Sequence, residues 1–376
     1  MRDAVIVDAV RTPIGRRGGA LSEIHPANLS AHVLTTLATR VGLPPELVDD
    51  VVWGCVSQVG EQAGVVSRTA VLAAGWPVSV PATTINRACG SSQQAVSFAA
   101  AAVISGQSEV VVAGGVESMT RVPMGTSSKG GEHIPKNVLD RFGVDNFSQG
   151  VAAEMVADKW GFSRTQLDEF SLRSHELSAA ATDVGAFTRQ LAPIGTVATD
   201  EGIRRGSSME SLSKLKAVFQ DDGVIHAGNS SQISDGASAL LITTSEYAST
   251  HGWSPLARIH TAVVAADDPV VMLTGPIPAT EKALKRSGLS IDDIGAFEIN
   301  EAFAPVPLAW LVETGADAGR LNPLGGAIGV GHPLGASGAI LMTRLVHHMR
   351  DNNIRYGLQS MCEAGGMANA TILELL

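Results

Sequence analysis

Residues 85–113 read INRACGSSQQAVSFAAAAVISGQSEVVVA. Ile85 ends a strand, and Arg87-Ala88-Cys89-Gly90 makes a turn. Ser91 or Ser92 can cap a helix that runs to about Ser105 and is closed by Gly106. Glu109 to Ala113 is then a nearly continuous apolar strand. The helix is apolar on nearly every face, from Ala95 and Val96 through Phe98 to Ile104. That pattern predicts a helix buried between layers. Strand, helix and strand in so short a span predict an α/β fold.

The same grammar extends in both directions. Residues 4–8 read as a strand. Residues 27–41 read as a helix with Leu29, Val33, Leu34, Leu37 and Val41 at helical spacing, and Val51 to Val56 reads as a strand. The C-terminal part repeats the order: a strand at Ala257 to Val264, a helix at Ala279 to Ser287, and a strand at Ala296 to Ile299. A Gly-rich turn at 325–335, a helix at about 336–350 and a strand at 356–361 follow. After the helix in each half come Gly-Leu and then Asp-Asp among aliphatics, at Gly42-Leu43 with Asp49-Asp50 and at Gly288-Leu289 with Asp292-Asp293. Two similar α/β halves are expected. Residues 118–233 differ, with many Ser, few strand patterns and helical segments at about 150–160 and 165–184. They read as an insertion, after which Gln232 to Thr243 returns as a helix start and a strand. The expected division is residues 1–117 with 234–255, an inserted loop domain at 118–233, and residues 256–376.

The chain has 376 residues, of which 45% are hydrophobic and 17% charged, enough to bury a large core. With 27 Lys+Arg against 37 Asp+Glu its net charge is −10, which excludes a general nucleic-acid surface. An anionic ligand would need a local basic patch. The three cysteines, at 55, 89 and 362, form no CxxC pair and no metal-like spacing, which suits a reducing compartment. No targeting segment is legible, and the longest apolar stretch, Ala95 to Ile104, is about half the roughly 20 residues of a membrane span. A cytoplasmic protein without metal is expected.

Four segments could carry chemistry. Cys89 stands where a strand turns into a helix, whose N-terminal dipole and free N–H groups favour thiolate. His332 lies in Gly331-His332-Pro333-Leu334-Gly335, again before a helix; the stretch fits neither a phosphate loop nor a dinucleotide fingerprint. Cys362 lies in Cys362-Glu363-Ala364-Gly365-Gly366 after a strand, with small residues that expose backbone N–H groups. Asn300 follows a strand as well. All four are expected at the carboxyl ends of strands, where ligands of open α/β sheets collect. Taken singly, a buried inert thiol and a structural histidine remain open readings.

The sequence resembles the thiolase family over essentially its whole length, and the matching segments come in order. They are Asn86-Arg87-Ala88-Cys89, Gly114-Gly115-Val116-Glu117-Ser118-Met119, Ala227-Gly228-Asn229-Ser230-Ser231, Asp235-Gly236-Ala237, Gly275-Pro276-Ile277-Pro278-Ala279, Asn300-Glu301-Ala302-Phe303, Gly331-His332-Pro333-Leu334-Gly335 and Cys362-Glu363-Ala364-Gly365-Gly366. The resemblance implies a duplicated, layered α-β-α-β-α fold. It implies ping-pong chemistry on 3-ketoacyl-CoA thioesters, with coenzyme A as substrate and no permanently bound cofactor, in a homodimer or homotetramer. Cys89 would be the nucleophile and His332 its base; Cys362 would be the second acid and base. His332 with Asn300, and the N–H groups of Cys89 and Ala364, would form two oxyanion sites. Ser231 and Phe303 match the family's coenzyme and substrate contacts, Met272 and Gln149 its acyl pocket, and Lys216, Arg204 and Arg205 would meet the coenzyme's phosphates. The expected reaction is degradative thiolysis. A biosynthetic acetoacetyl-CoA thiolase and a non-catalytic CoA or lipid carrier are the alternatives. Three departures bear on function. After the nucleophile the sequence reads Cys89-Gly90-Ser91-Ser92, one glycine fewer than the family's pattern, which makes the helix start less flexible. Ala364 replaces the family's first Gly after the second cysteine, and alanine resists positive φ. Gln149 replaces its Met and makes the pocket wall more polar.

Overall fold

The computed structural model describes residues 2–376. The first half runs β1 (Val5–Arg11), β2 (Gly15–Arg16), α1 (Pro26–Val41), β3 (Asp50–Gly54), α2 (Val66–Ala73), β4 (Ala82–Ile85), α3 (Ser91–Ser105) and β5 (Val111–Ser118). A long excursion carries α4 (Lys136–Phe142), α5 (Gln149–Trp160), α6 (Arg164–Asp183) and α7 (Met209–Ser213) before β6 (Ser234–Thr243) and α8 (Ser245–Thr250). The second half runs β7 (Ala257–Ala266), α9 (Pro276–Ser287), β8 (Ala296–Ile299), α10 (Pro305–Thr314), α11 (Ala327–Val330), α12 (Ser337–Asp351), β9 (Tyr356–Glu363) and β10 (Met367–Leu375).

The strands form one mixed sheet in the order β4-β3-β5-β6-β1-β7-β10-β9-β8, with β2 beside β6. In the first half β3 and β5 are parallel, while β5–β6 and β6–β1 are antiparallel. In the second half β8 and β9 are parallel, while β9–β10 and β10–β7 are antiparallel. The two patterns agree strand for strand. The halves join where Val5 and Ile6 of β1 meet Arg258 and Ala257 of β7.

Side chains of a strand alternate between its faces, and β1 uses both. Val5 and Val7 pack in the outer core with Leu29, Val33 and Leu37 of α1. Ala4 and Ile6 face a middle core with Ala95, Ala99 and Val103 of α3 and Met342, Leu345 and Met349 of α12. Beyond the second half's strands, Phe297 of β8 and Trp310 of α10 pack edge to face, 5.0 Å apart, in a third core with Ala279 and Ala283 of α9. The layers are therefore α, β, α, β, α. Because helices cover both of its faces, β6 is buried at all ten positions and reads as an unbroken apolar and small run.

Several local expectations need correction. α3 is covered on most of its surface, yet Phe98 is 48% and Ile104 44% exposed. A run of apolar residues sets no helix orientation, so periodicity could not identify the open face. Gly90, not a serine, occupies the N-cap of α3; the Ser91 hydroxyl bonds the turn before it. The Gly106 closure stands, with φ 78°. Residues 232–233 start no helix. Cys362 lies within β9 rather than after it, and His332 follows the short α11 rather than a strand. Among the described residues no helix is long and apolar enough to cross a membrane.

Candidate active site

The turn before α3 carries strain at one residue. Ala88 has φ 45°, a region L-residues rarely adopt and one that costs about 1–3 kcal/mol. Its neighbours hold it there. The Asn86 side chain accepts from Ala88 N–H at 2.8 Å, and the Ser91 hydroxyl donates to Ala88 O at 2.6 Å while accepting from Arg87 N–H at 2.9 Å. Cys89 is thereby fixed, buried, at the head of the helix. A Cβ on Gly90 would collide with the Glu363 carboxyl, so glycine at this position lets the turn lie directly on β9. Burial pushes the Cys89 thiol up to about 12; the Glu363 carboxyl adds to the rise, and a hydrogen bond from the Gln149 side chain opposes it.

His332 lies between α11 and α12. Its backbone N–H reaches the Ser234 hydroxyl at 2.9 Å, which ties the loop to β6. Its Nδ1 lies 2.6 Å from the Ser337 hydroxyl, and that hydroxyl donates to Pro333 O at 2.9 Å. With its single proton committed, the Ser337 oxygen accepts from Nδ1–H. The lone pair then resides on Nε2, which faces the Asn300 amide at 3.4 Å. Burial holds the imidazole down to about 4, so near neutral pH it is an uncharged base. Asn300 is placed by its N–H to Ser360 O at 3.1 Å, and its buried Oδ1 has no protein partner.

The residue after Asn300 braces this loop. The Glu301 carboxylate accepts from Ser174 and Asn322 side chains and from Ile328 N–H. Gly326 passes so close that a Cβ would overlap that carboxylate. Glu117 does similar work from β5, accepting from Val56, Ser57 and Gly335 N–H groups and from Gln62. It links the His332 loop to the segment after β3.

Cys362 is buried on β9, and its thiol is pushed up by burial, by Cys89 and by Glu363. The two thiols are thus close enough to feel each other's charge. In the turn that follows, Gly365 and Gly366 take φ 82° and 78°, whereas Ala364 does not have positive φ. The exchange of Gly for Ala364 is accommodated because the strain falls on the next two glycines. Glu363 is a group that motif reading missed. Burial lifts its carboxyl to about 8, Arg87 opposes this, and neither oxygen has a hydrogen-bond partner.

Cys89 and His332 open on one cavity of about 260 Å³, with Ser231, Phe303 and Gln149 also in its wall. Ser231 is held by its N–H to Ala302 O at 2.9 Å, and Phe303 stacks edge to face on Phe219. His226, in the same wall, donates to buried Asp168 at 2.7 Å while its Nδ1 accepts from Gly228 N–H, so it anchors the 226–231 loop. A second cavity of about 580 Å³ adjoins at Ser231 and Gln232 and is bordered by Arg204 with Arg16 and Arg17, two cations that sequence reading did not single out. Arg205 turns away, paired through two hydrogen bonds to Asp183, and so departs from the expected phosphate role. Lys216 is exposed and lines none of these cavities, although Val218 and Phe219 just after it wall the first. A third cavity of about 500 Å³ brings together Met272 and Gln149, the two residues assigned to the acyl pocket, and Ala364.

Comparison with known proteins is consistent along the whole chain. A family model described as the thiolase N-terminal domain matches residues 4–246, and one described as the thiolase C-terminal domain matches residues 253–375. The chain is 47% identical to the steroid 3-ketoacyl-CoA thiolase FadA6 of Mycobacterium tuberculosis, over 100% of this chain and 95% of that protein. It is 43% identical to a 3-ketoacyl-CoA thiolase of Pseudoalteromonas translucida, over 100% and 99%. The crystal structure of the Bacillus anthracis acetyl-CoA acetyltransferase superposes with a TM-score of 0.92 at 37% identity, covering 100% of this chain and 99% of that one.

Proposed function

The chain belongs to the thiolase family, and we propose that it cleaves 3-ketoacyl-CoA through an acyl-enzyme on Cys89. It is an acyltransferase, and the names of its relatives, 3-ketoacyl-CoA thiolases, support thiolysis of 3-ketoacyl-CoA in lipid degradation. The observation that carries the residue assignment is the shared cavity of Cys89 and a neutral His332 with its lone pair on Nε2. A thiol raised to about 12 does not ionise by itself, so attack requires a base in reach.

His332 takes the Cys89 proton as sulfur attacks C3 of the substrate. The C2–C3 bond breaks, leaving the acyl group on Cys89 and the enolate of acetyl-CoA. Cys362 protonates that enolate. Cys362, now thiolate, deprotonates incoming coenzyme A, whose sulfur takes the acyl group and leaves as acyl-CoA, while the departing Cys89 recovers its proton from His332. Its own high pKa suits it to hold a proton until an enolate demands it. His332 with Asn300, and the N–H groups of Cys89 and Ala364, stabilise the two oxyanions; each donor supplies about 3–4 kcal/mol. Residues 118–233 form the coenzyme-binding insertion, with Arg204 beside Arg16 and Arg17 as its local basic patch. The three free cysteines support a reducing, cytoplasmic setting, and the family resemblance supports a homodimer or homotetramer with no permanent cofactor.

The test is the intact mass of the protein after incubation with a 3-ketoacyl-CoA. Wild type gains the acyl mass and Cys89→Ala gains none; an adduct that persists in the variant overturns the nucleophile assignment.

A further inference from the structure

Glu363 follows Cys362 on β9 and lies under the turn that carries Cys89. Its carboxyl is buried, and neither oxygen has a hydrogen-bond partner among the described residues. Arg87 acts on it from the turn without a hydrogen bond: Arg87 Nη1 lies 3.9 Å from the Met367 sulfur, and its Nε is unpartnered. A Cβ on Gly90 would collide with Glu363 Oε1 and stand 2.8 Å from Asn369 Nδ2, so carboxyl and amide meet beneath that turn. The amide is oriented by donating to Gly90 O at 3.1 Å, which leaves its buried Oδ1 without a donor. Two unpartnered acceptors, one carboxyl and one amide, therefore border the same buried turn. A proton on Glu363 supplies the donor that they lack. A carboxylate there would be without water and without a paired cation, a costly state for a buried group. In keeping with this, burial lifts the carboxyl to about 8.

Both thiols of the site feel this group, since an ionised Glu363 raises Cys89 and Cys362 alike. The reaction makes each of them a thiolate in turn, Cys89 when His332 takes its proton and Cys362 once it has protonated the enolate. A second negative charge beside either one opposes that step. The other groups that face this cluster are Arg87 from the turn, Glu117 from β5 and the uncharged His332, while β10 contributes only the uncharged Asn369 and Met367. We propose that Glu363 is a positioning residue that acts through the two thiols: it keeps its own proton throughout the cycle and so keeps negative charge away from Cys89 and Cys362 while each ionises. It passes no proton to substrate. This rests on the thiolase reading above and adds a residue to it. When rising pH removes the Glu363 proton, both thiols become harder to ionise, although the solvent then favours thiolate.

The experiment compares wild type with Glu363→Gln from about pH 6 to about pH 9.5. It reads kcat/KM for thiolysis of acetoacetyl-CoA and 3-oxodecanoyl-CoA, and the rate of Cys89 alkylation by iodoacetamide. The amide has the shape of a protonated carboxyl and cannot ionise, and ionisation of substrate and coenzyme A cancels in the ratio of the two proteins. Expected is a wild-type-to-variant ratio that is constant up to about pH 7 and falls about tenfold or more by about pH 9.5 in both readouts, because each unit of thiol pKa is tenfold in thiolate. Arg87→Gln, taken against the same protein carrying Glu363→Gln, loses the opposing cation and should show that fall at higher pH, a displacement that a purely structural Glu363 would not produce. A constant ratio, or a fall that Arg87→Gln does not move, overturns the inference and leaves the thiolase reading intact. Should Glu363→Gln not fold, the pH at which alkylation departs from a tenfold rise per pH unit is compared between wild type and Arg87→Gln; equal values overturn the inference. Absence of thiolysis in wild type overturns the thiolase reading alone, because alkylation still reads the charge beside Cys89.

Discussion

The Ser337 hydroxyl, five residues after His332, determines which imidazole nitrogen carries the proton. It donates to Pro333 O at 2.9 Å and so can only accept from His332 Nδ1 at 2.6 Å. Ser337→Ala removes that acceptor and frees the ring to change tautomer. Loss of a net bond of about 1 kcal/mol, felt more strongly as imidazolium forms, should lower kcat about tenfold with KM little changed. Steady-state thiolysis checks it. A kcat equal to wild type would show that another contact holds the tautomer.

Cys362→Ala separates the two half-reactions. Acylation of Cys89 by a simple acyl-CoA needs only Cys89 and His332, so it should persist by intact mass. Exchange of the α-protons of acetyl-CoA with deuterated water should stop. Undiminished exchange would remove Cys362 from the acid/base role.

Glu363 makes stability depend on pH. Burial raises its carboxyl from 4.5 to about 8 in the folded protein. Below the unfolded value both states hold the proton and the stabilisation is fully present. As pH rises toward about 8 the unfolded chain releases the proton while the folded one keeps it, so stability falls by up to about 1.4 kcal/mol per pH unit. Glu363→Gln has no such proton. Its melting temperature should gain on wild type steadily between pH 5 and pH 8. A constant difference across that range would show that Glu363 does not titrate there.

Gln149→Met restores the family's residue and removes the side chain whose hydrogen bond lowers the Cys89 pKa. A bond to a charged group contributes about 1.5–3 kcal/mol, so alkylation of Cys89 by iodoacetamide at pH 8 should slow about tenfold or more. Peptide mass analysis distinguishes Cys89 from Cys55 and Cys362, which are buried as well. An unchanged rate would mean that Gln149 only shapes the wall.

Much of this was legible from residue order because the determining forces are local or periodic. Uninterrupted aliphatic runs marked β5 and part of β6, and Gly106 marked the end of α3. Two equivalent Gly-Leu and Asp-Asp passages pointed to the duplication that the strand pairings repeat. The missed features depend on distances between remote segments. Glu363 is unremarkable in the sequence until β9 lies under Gly90. Gln149 showed itself as a departure in polarity, but only the fold brings its side chain to Cys89. Arg205 matched the expected charge and then spent it on Asp183, 22 residues away.

The central position of β1 has a consequence for biosynthesis. Its seven residues leave the ribosome well before those of its neighbours β6 and β7, which begin at Ser234 and Ala257. At roughly 5–20 residues per second, β1 waits about 10–50 s for its first partner. Over that interval β5 also lacks one neighbour, and both present apolar edges to other nascent chains. Chain closure over more than 220 residues makes the middle of the sheet the last part of the first half to form. The yield of this protein in a cell should therefore depend on chaperones that shelter an unfinished first half, and should improve when translation through residues 120–234 is fast.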